Sequence, residues 1–281
     1  MAGGAMTRSL VHAIGRVLTR VLLHPRWRHS RVMSSLYLGL YLTGKQITER
    51  REVLILRRLL VPGMVVADIG ANVGFYTLQI AAAVGPAGRV LAFEPDPFCY
   101  ALLADRVTRA RATNVTTHQL GIGDADKEIV LYTSSYNRAD NRMHRSHGEP
   151  HVEAYQVRIR RLDDVLSDAA LPKFDALKID VQGAEEWVLR GAEKVIHAGL
   201  RWIWIEFSPQ HLAGAGTDPQ AFLTLLAGLG MSVYEVGDRG DLQPLSDSAD
   251  YVQRIGTGYG DLLLLSEPFA ARITSDPPLK S

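Results

Sequence analysis

One segment of the chain combines an acidic residue with two glycines in a pattern suited to ligand binding. Residues 68–77 read Asp-Ile-Gly-Ala-Asn-Val-Gly-Phe-Tyr-Thr. Glycine lets a ligand approach the backbone closely, and a helix that begins after such a turn presents free N–H groups. A pyrophosphate turn would read G-x-G-x-x-G, whereas here Asn72 breaks the glycine spacing and Asp68 would repel a phosphate. The segment therefore predicts a site for a ligand with a cationic amine rather than for a dinucleotide.

Two further carboxylates follow the next apolar segments of the chain. Glu94 lies about twenty residues beyond the glycine turn, where a carboxylate accepts hydrogen bonds from ribose hydroxyls. Asp124 ends the segment Gly-Ile-Gly-Asp, residues 121–124, and suits the exocyclic amine of a purine. An amine site, a ribose site and a base site in this order match S-adenosylmethionine. The predicted cofactor-binding residues are Asp68, Gly70, Asn72, Gly74, Tyr76, Thr77, Glu94, Asp96, Gly123 and Asp124.

Asp180 and Glu206 are the candidates for catalysis, because each follows an apolar run that predicts a strand. If these strands are parallel, both carboxylates emerge at the carboxyl edge of the sheet, where the cofactor methyl must lie. A carboxylate there can take the hydroxyl proton as general base or orient the attacking oxygen. The alternative is structural: Asp180 would cap the following helix, and Glu206 would bind backbone N–H groups.

A polar segment, residues 134–151, contains His144, His147 and His151 together with acidic residues. An imidazole titrates near neutral pH, so His144 is a third catalytic candidate. The spacing also suits a metal ion, but loop histidines without a fixed partner seldom form such sites, and we predict no metal. We interpret the segment mainly as a solvated lid that shapes the acceptor site.

The elements that must position these residues alternate between strands and helices. Short apolar runs predict strands at residues 65–69, 89–93, 115–120, 129–133, 155–162, 174–179, 202–207, 231–236 and 261–265. Helical periodicity predicts helices at residues 54–60, 75–84, 97–110, 184–197 and 219–229. This alternation predicts an α/β fold whose mostly parallel sheet is covered by helices on both faces, with an antiparallel strand near the end.

The order of the motifs resembles that of the FkbM family of S-adenosylmethionine-dependent methyltransferases. The resemblance covers roughly residues 52–265 and rests on residues 68–77, 93–96, 121–124, 161–166, 177–185 and 205–206, of which residues 178–185 are the most specific. It implies a Rossmann-like class I methyltransferase fold with a seven-stranded sheet, and S-adenosylmethionine as cofactor. Gln182 departs from the family pattern, which more often has glutamate there, and this puts a metal or proton-transfer role for that position in doubt.

The composition of the 281 residues excludes several classes of protein. Hydrophobic residues make up 47% and charged residues 22%, as in soluble globular proteins, and the single cysteine excludes a disulfide framework. Residues 1–58 carry eleven Lys/Arg and two Glu, a net +9, against 20 basic and 28 acidic residues in the remainder, a net −8. We predict a basic helical extension (residues 1–50), a methyltransferase domain (51–270) and a loose tail (271–281).

Residues 7–23 of the extension have the periodicity of a basic amphipathic helix. We predict that the basic arm, residues 7–31, wraps the acidic catalytic domain of its own chain or of a neighbour in a homodimer; docking on an anionic membrane surface is the second option. Arg16 and Arg20 interrupt the apolar run that a secretory signal needs, and the run at residues 36–42 is too short to span a bilayer. The chain therefore reads as cytoplasmic, with peripheral contact to the inner membrane surface as the alternative.

The function expected from these residues is O-methylation of a small acceptor. The resemblance implies hydroxyl acceptors on polyketides, sugars or related bacterial metabolites, and the overall charge of +1 gives no indication of a nucleic-acid partner. Alternatives are methylation of an amine, methylation of a protein or lipid head group, and an inactive partner subunit that only binds the cofactor. Retention of Asp180 and Glu206 favours an active enzyme over the last of these.

Overall fold

The computed structural model describes residues 31–134, 141–142, 152–169, 173–237 and 240–275. The strands are β1 Val65–Ile69, β2 Arg89–Phe93, β3 Val115–His118, β4 Gly121–Ile122, β5 Lys127–Ser134, β6 Asn141–Arg142, β7 Val152–Arg160, β8 Ala176–Ile179, β9 Trp202–Phe207, β10 Ser232–Val236, β11 Leu242–Pro244 and β12 Gly260–Leu265. The helices are α1 Arg31–Thr48, α2 Arg50–Leu59, α3 Phe75–Val84, α4 Pro97–Arg109, α5 Leu162–Asp168, α6 Glu185–Arg190, α7 Glu193–His197, α8 Pro209–Gly214, α9 Pro219–Ala227, α10 Ser248–Ile255 and α11 Glu267–Ser275.

The main sheet of the described chain has eight strands in the order β11-β10-β12-β9-β8-β1-β2-β3. Strands β3, β2, β1, β8 and β9 are parallel, and β12 is antiparallel to both of its neighbours. The prediction of a mostly parallel sheet with an antiparallel strand near the end is confirmed. The expected seven strands become eight, because the short β11 pairs with the edge of β10.

A second sheet, in the order β4-β7-β5-β6, stands apart from the main one. Its largest pairing joins β5 to β7 in antiparallel register from Lys127–Ile159 to Ser134–Val152. Residues 129–133 and 155–162 were each expected to form strands, but their pairing with one another was not. Leu162 begins α5 instead of ending a strand, and two acidic residues in the first turn suit a helix N-terminus.

Apolar side chains cover both faces of the main sheet. On one face a cluster that includes Phe174, Leu177 and Phe207 packs under α5 to α10. On the other face Trp202, Leu59 and Ile80 belong to a cluster formed with α2, α3 and α11. The central strands are buried on both sides, which explains their unbroken apolar sequences. Within the part of the chain that the structure describes, no helix has both the length and the apolarity needed to cross a membrane.

Helix α1 belongs to the predicted extension and packs against the beginning of α3. The Lys45 ammonium lies 5.7 Å from the centre of the Phe75 ring and 5.2 Å from that of Tyr76. Glu49, which follows α1, accepts a hydrogen bond from the Tyr76 hydroxyl. The amphipathic segment at residues 7–23 lies outside the described residues. Helix α1 is thus in contact with α3, the helix that follows the glycine turn. The predicted domain boundaries stay predictions.

Candidate active site

The carboxyl ends of β1, β2 and β8 are tied together by backbone hydrogen bonds. The N–H groups of Gly70 and Ala71 donate to the carbonyl of Phe93 at 3.0 and 2.9 Å, and the N–H of Asp180 donates to Ile69 at 3.0 Å. Because the three strands are parallel and adjacent, the residues that follow them meet at one edge of the sheet. The structure therefore brings the glycine turn, Glu94 and Asp180 together, as expected.

Gly70 and Gly74 are required by close packing. Both have a left-handed backbone, with φ values of 81° and 78°. A Cβ atom on Gly70 would collide with the backbone carbonyl of Asp180, and one on Gly74 would collide with the Leu103 side chain. The direction that a side chain would take at either glycine is filled by protein, which is a packing reason for glycine beside the predicted approach of a ligand. Their predicted contact with the cofactor through the backbone stays a prediction.

Asp68 is enclosed by the protein rather than open to a ligand. The Thr77 hydroxyl donates to one of its oxygens at 2.6 Å, and the Lys178 ammonium lies 3.9 Å from the other. Among the described residues that second oxygen has no hydrogen-bond partner. Burial raises the pKa of Asp68, and the Lys178 charge opposes that rise. The expected direct contact with an amine therefore does not match this arrangement, in which Lys178 already provides the cation.

Glu94 and Asp96 organise the end of β2 and the start of α4. The N–H groups of Asn72 and Asp96 each donate to one Glu94 oxygen at 2.8 Å. Burial raises the pKa of Glu94 to about 8. Asp96 caps α4 by accepting from the N–H groups of Phe98 and Cys99 at 2.8 and 2.9 Å. Glu94 thus connects the glycine turn to the second strand end, whereas Asp96 has the geometry of a helix cap.

Tyr76 and Asp124 lie in different surroundings from those expected. The Tyr76 hydroxyl donates a hydrogen bond to Glu49, and the Lys178 ammonium lies 4.5 Å from the centroid of the Tyr76 ring. Asp124 follows β4 of the second sheet instead of a strand of the main sheet, and its carboxylate accepts from Lys127 at 2.7 Å. This bond, with the nearby positive charge, lowers the pKa of Asp124. A Cβ on Gly123 would collide with the Ile159 side chain, so packing requires this glycine as well.

Asp180 and Glu206 are joined through Gln182. The Gln182 amide nitrogen donates to Asp180 at 3.0 Å and to Glu206 at 2.6 Å. The Lys178 ammonium lies 3.5 Å from the other Asp180 oxygen. Burial alone would raise the pKa of Asp180, but the Lys178 and Lys45 charges hold it below its usual range. Burial, followed by the Asp180 charge, raises the pKa of Glu206 well above its usual range.

Among the described residues, the structure does not show Asp180 as a helix cap or Glu206 as an acceptor of backbone N–H groups, the two structural alternatives. Both carboxyl groups accept a hydrogen bond from the Gln182 side chain. The surroundings therefore favour the ionised form of Asp180 and the protonated form of Glu206. An ionised carboxylate at the carboxyl edge is suited to accept a proton from a bound hydroxyl. His144 lies outside the described residues, so its catalytic role stays a prediction.

Three residues at this edge, two cations and one amide donor, were not predicted from the sequence as site residues. Lys178 could have been found, because it is two residues before Asp180 on a strand and so shares its face. Gln182 was noted only as a departure from a family pattern. Lys45 had no signal in the sequence, since the position of α1 over the edge depends on tertiary packing. Among the described residues, no three His, Cys, Asp or Glu side chains are placed to hold a metal ion.

The charge of this edge suits a cationic ligand. Asp68, Glu94 and Glu185 are buried here and Asp180 and Glu206 are half-buried, and the cations that act on this group are Lys45 and Lys178. The pKa values of all these carboxyl groups except Asp180 are raised by burial, and a sulfonium or ammonium group bound beside them would favour their ionised forms. The sheet order and the position of the site at the carboxyl edge are those of a class I methyltransferase fold.

Comparison with known proteins gives the family. The model of the methyltransferase FkbM domain matches residues 68–233, more than half of the chain, and the protein belongs to this family of S-adenosylmethionine-dependent methyltransferases. The chain is 32% identical over 182 residues to the AMB antimetabolite synthetase AmbE of Pseudomonas aeruginosa, a match that covers 53% of this chain and 8% of AmbE. The chain therefore corresponds to a small part of that relative.

Two further similarities are to a curated methyltransferase and to a solved structure. The chain is 28% identical over 178 residues to the 2-O-methyltransferase NoeI of Sinorhizobium fredii, covering 59% of this chain and 72% of NoeI. The crystal structure of methyltransferase FkbM from Methylobacillus flagellatus KT is 18% identical, covers 88% of this chain and 58% of that one, and superposes with a TM-score of 0.44.

Proposed function

We propose that this methyltransferase acts on a hydroxyl oxygen of a small metabolite, sugar or polyketide-like acceptor. The observation that carries the proposal is the Asp180–Gln182–Glu206 arrangement, in which Asp180 is held ionised at the carboxyl edge. A hydroxyl is a weak nucleophile until its proton is removed, whereas a neutral amine needs no base to attack. The name 2-O-methyltransferase of the relative NoeI supports an oxygen acceptor.

The residues of this chain have separable roles in the proposed reaction. When bound, S-adenosylmethionine supplies an electrophilic methyl group at its sulfonium sulfur. Glu94 and the backbone of the glycine turn would hold the nucleoside and amino-acid parts, and the ionised Asp180 would stabilise the positive charge. Asp180 would accept the hydroxyl proton while the new carbon–oxygen bond forms and the carbon–sulfur bond breaks. Alignment of the two reactants in a site that excludes water would provide most of the rate enhancement.

The acceptor class can be tested with radiolabelled S-adenosylmethionine and fractionated small-molecule extract. The expected result is a labelled product whose methyl group is an ether, identified by mass spectrometry and NMR. Label on nitrogen, or on protein in an unfractionated extract, would contradict the proposal. Labelling should continue after chelator treatment, because the site holds an amide where a metal-binding cluster would need a third carboxylate. Loss of labelling with chelator and recovery with Mg²⁺ would overturn the expectation of no metal.

A further inference from the structure

Gln182 contacts both candidate catalytic carboxyl groups with the same atom. Its amide nitrogen lies 3.0 Å from an Asp180 oxygen and 2.6 Å from a Glu206 oxygen. A primary amide nitrogen carries two hydrogens, so one can be donated to each carboxyl group. The side chain therefore joins the end of β8 to β9 at the point where both strands reach the carboxyl edge.

The backbone of Gln182 has a conformation that glutamine rarely adopts. Its φ is 55°, in the left-handed region that glycine and asparagine enter more readily. Glycine follows at position 183, where a Cβ would collide with the His211 carbonyl, so the turn itself is constrained. Glutamine is thus unfavourable for the backbone at this position, and its side chain supplies a reason for its presence.

The surroundings make the joined pair electrostatically asymmetric. Charged and titratable groups from several elements act on Asp180 and Glu206. They are Lys178 of β8, Lys45 of α1, Glu185 of α6 and Asp261 of β12. Besides burial, Asp180 in turn raises the pKa of Asp68 on β1 and of Glu94 after β2. Lys178 lies 3.5 Å from Asp180 and Lys45 acts on both groups, whereas burial, together with Asp261 and Glu185, raises the pKa of Glu206. This asymmetry favours the ionised form of Asp180 over that of Glu206.

We propose that Gln182 is a positioning residue for methyl transfer, which holds Asp180 and Glu206 in one fixed pair by donating a hydrogen bond to each. This proposal rests on the proposed function of Asp180 as the proton acceptor. The Gln182 bond fixes one Asp180 oxygen and Lys178 approaches the other, so the carboxylate has a defined orientation. Without the amide, Asp180 can rotate away, and its ionised form loses a donor.

The test compares the full chain with its Gln182→Asn and Gln182→Gly variants. Both substitutions suit a positive φ, so thermal stability should equal or exceed that of the wild type, while neither side chain reaches both carboxyl groups. S-adenosylmethionine affinity, measured by calorimetry, should stay within about threefold, and kcat should fall roughly tenfold or more through misplacement of the proton acceptor. Because the amide favours the ionised form, its loss should move the acidic limb of the kcat–pH profile to higher pH.

Carbon-13 NMR titration of the side-chain carboxyl groups gives a readout independent of turnover. In both variants the Asp180 signal should titrate at higher pH than in the wild type, and Gln182→Glu should not restore wild-type titration, because a carboxylate has no hydrogen to donate. Unchanged Asp180 titration and an unchanged kcat–pH profile in Gln182→Asn would overturn the proposal. Equal losses of stability, cofactor affinity and turnover would overturn it as well. If the wild type methylates no hydroxyl, the proposed function fails, and the titration still decides whether Gln182 links the pair.

Discussion

At the scale of single residues, the site contains fewer cations than carboxyl groups, so one cation lies beside more than one carboxyl group. Lys178 lies 3.5 Å from Asp180 and 3.9 Å from Asp68, so one ammonium group is shared by two strands. Burial raises the pKa of Glu185 to about 7 and that of Glu94 to about 8. Asp180 differs from these groups, because the cations nearby keep it ionised. This difference in ionisation separates the proton acceptor from the carboxyl groups around it.

The first prediction concerns Asp180. Asp180→Asn should lower kcat about 100-fold or more, because an amide cannot accept the hydroxyl proton, while S-adenosylmethionine affinity changes only a few-fold. Steady-state kinetics and calorimetry measure the two effects. Asp105→Asn is the control, since Asp105 forms an exposed ion pair with Arg109 on α4 and should leave both quantities unchanged. A parallel loss of affinity and turnover in Asp180→Asn would assign the residue to cofactor binding instead.

The second prediction concerns cofactor affinity and Glu94. Glu94→Ala should weaken S-adenosylmethionine binding by about 1–3 kcal/mol, the usual effect of leaving a buried hydrogen-bonding group without its partner. Calorimetry measures the affinity, and circular dichroism checks that the variant is folded, because Glu94 also accepts two backbone hydrogen bonds. Wild-type affinity in a folded variant would exclude Glu94 from the cofactor site.

The third prediction is a pH dependence of stability due to Glu94. Its pKa is raised from 4.5 to about 8 in the folded chain, so the folded state keeps a proton that the unfolded state has lost between these values. The contribution of Glu94 to stability is therefore complete below pH 4.5 and decreases as the pH rises through about 8. The Tm of Glu94→Gln, which cannot titrate, should rise relative to wild type between pH 5 and 8. Parallel Tm curves of the two proteins would contradict this assignment.

At the scale of elements, the turn between β1 and α3 combines binding potential with tight packing. Gly70 and Gly63 both have positive φ, at 81° and 87°, but a Cβ on Gly63 would meet open space. Gly63→Ala should therefore cost about 1 kcal/mol for the backbone alone. Gly70→Ala should cost at least about 3 kcal/mol, because the Asp180 carbonyl must also move. Urea unfolding measures both, and equal losses would show that the close approach is unimportant.

The elements also show which sequence patterns are sufficient by themselves. The bounds expected for β1, α3, β2 and β9 agree with the structure at both ends, because each is an apolar run limited by glycine, proline or charged residues. The helix expected at residues 184–197 divides into α6 and α7 instead. Gly191 lies between them, and a Cβ there would collide with the Gly123 carbonyl. A helix break that depends on contact with a turn distant in the sequence cannot be predicted from the periodicity of the apolar residues.

At the scale of the whole molecule, α1 links the basic N-terminal region to the acidic domain. One side of α1 holds Lys45 over the Phe75 and Tyr76 rings. The other side leaves Val32, Leu36, Leu40 and Ile47 between 42% and 70% exposed. These four are the majority of the large apolar side chains exposed in the described residues. An exposed apolar stripe of this kind is a surface that the periodic apolar residues at 7–23 are suited to cover.

The prediction at this scale compares the full chain with a variant that lacks residues 1–30. If residues 7–23 wrap the domain, as we propose, their removal should lower the Tm by several degrees, on the order of 1–2 kcal/mol of lost apolar burial. Leu36→Ser with Leu40→Ser in the full chain should reproduce part of the loss. Val130→Ser is the control, because Val130 is exposed on the second sheet. Unchanged Tm and mass, with binding to anionic vesicles only in the full chain, would favour membrane docking.

Local patterns were sufficient for the alternation of strands and helices, the parallel sheet and the strand ends at which Asp68, Glu94 and Asp180 stand. These features depend on periodicity and on turn residues close in the chain. The bond from Gln182 to Glu206, the enclosure of Asp68 by Lys178 and the placement of Lys45 over the edge join residues on separate elements. Long-range packing decides such contacts, because a side chain's partner depends on which strands become neighbours and on what covers their ends.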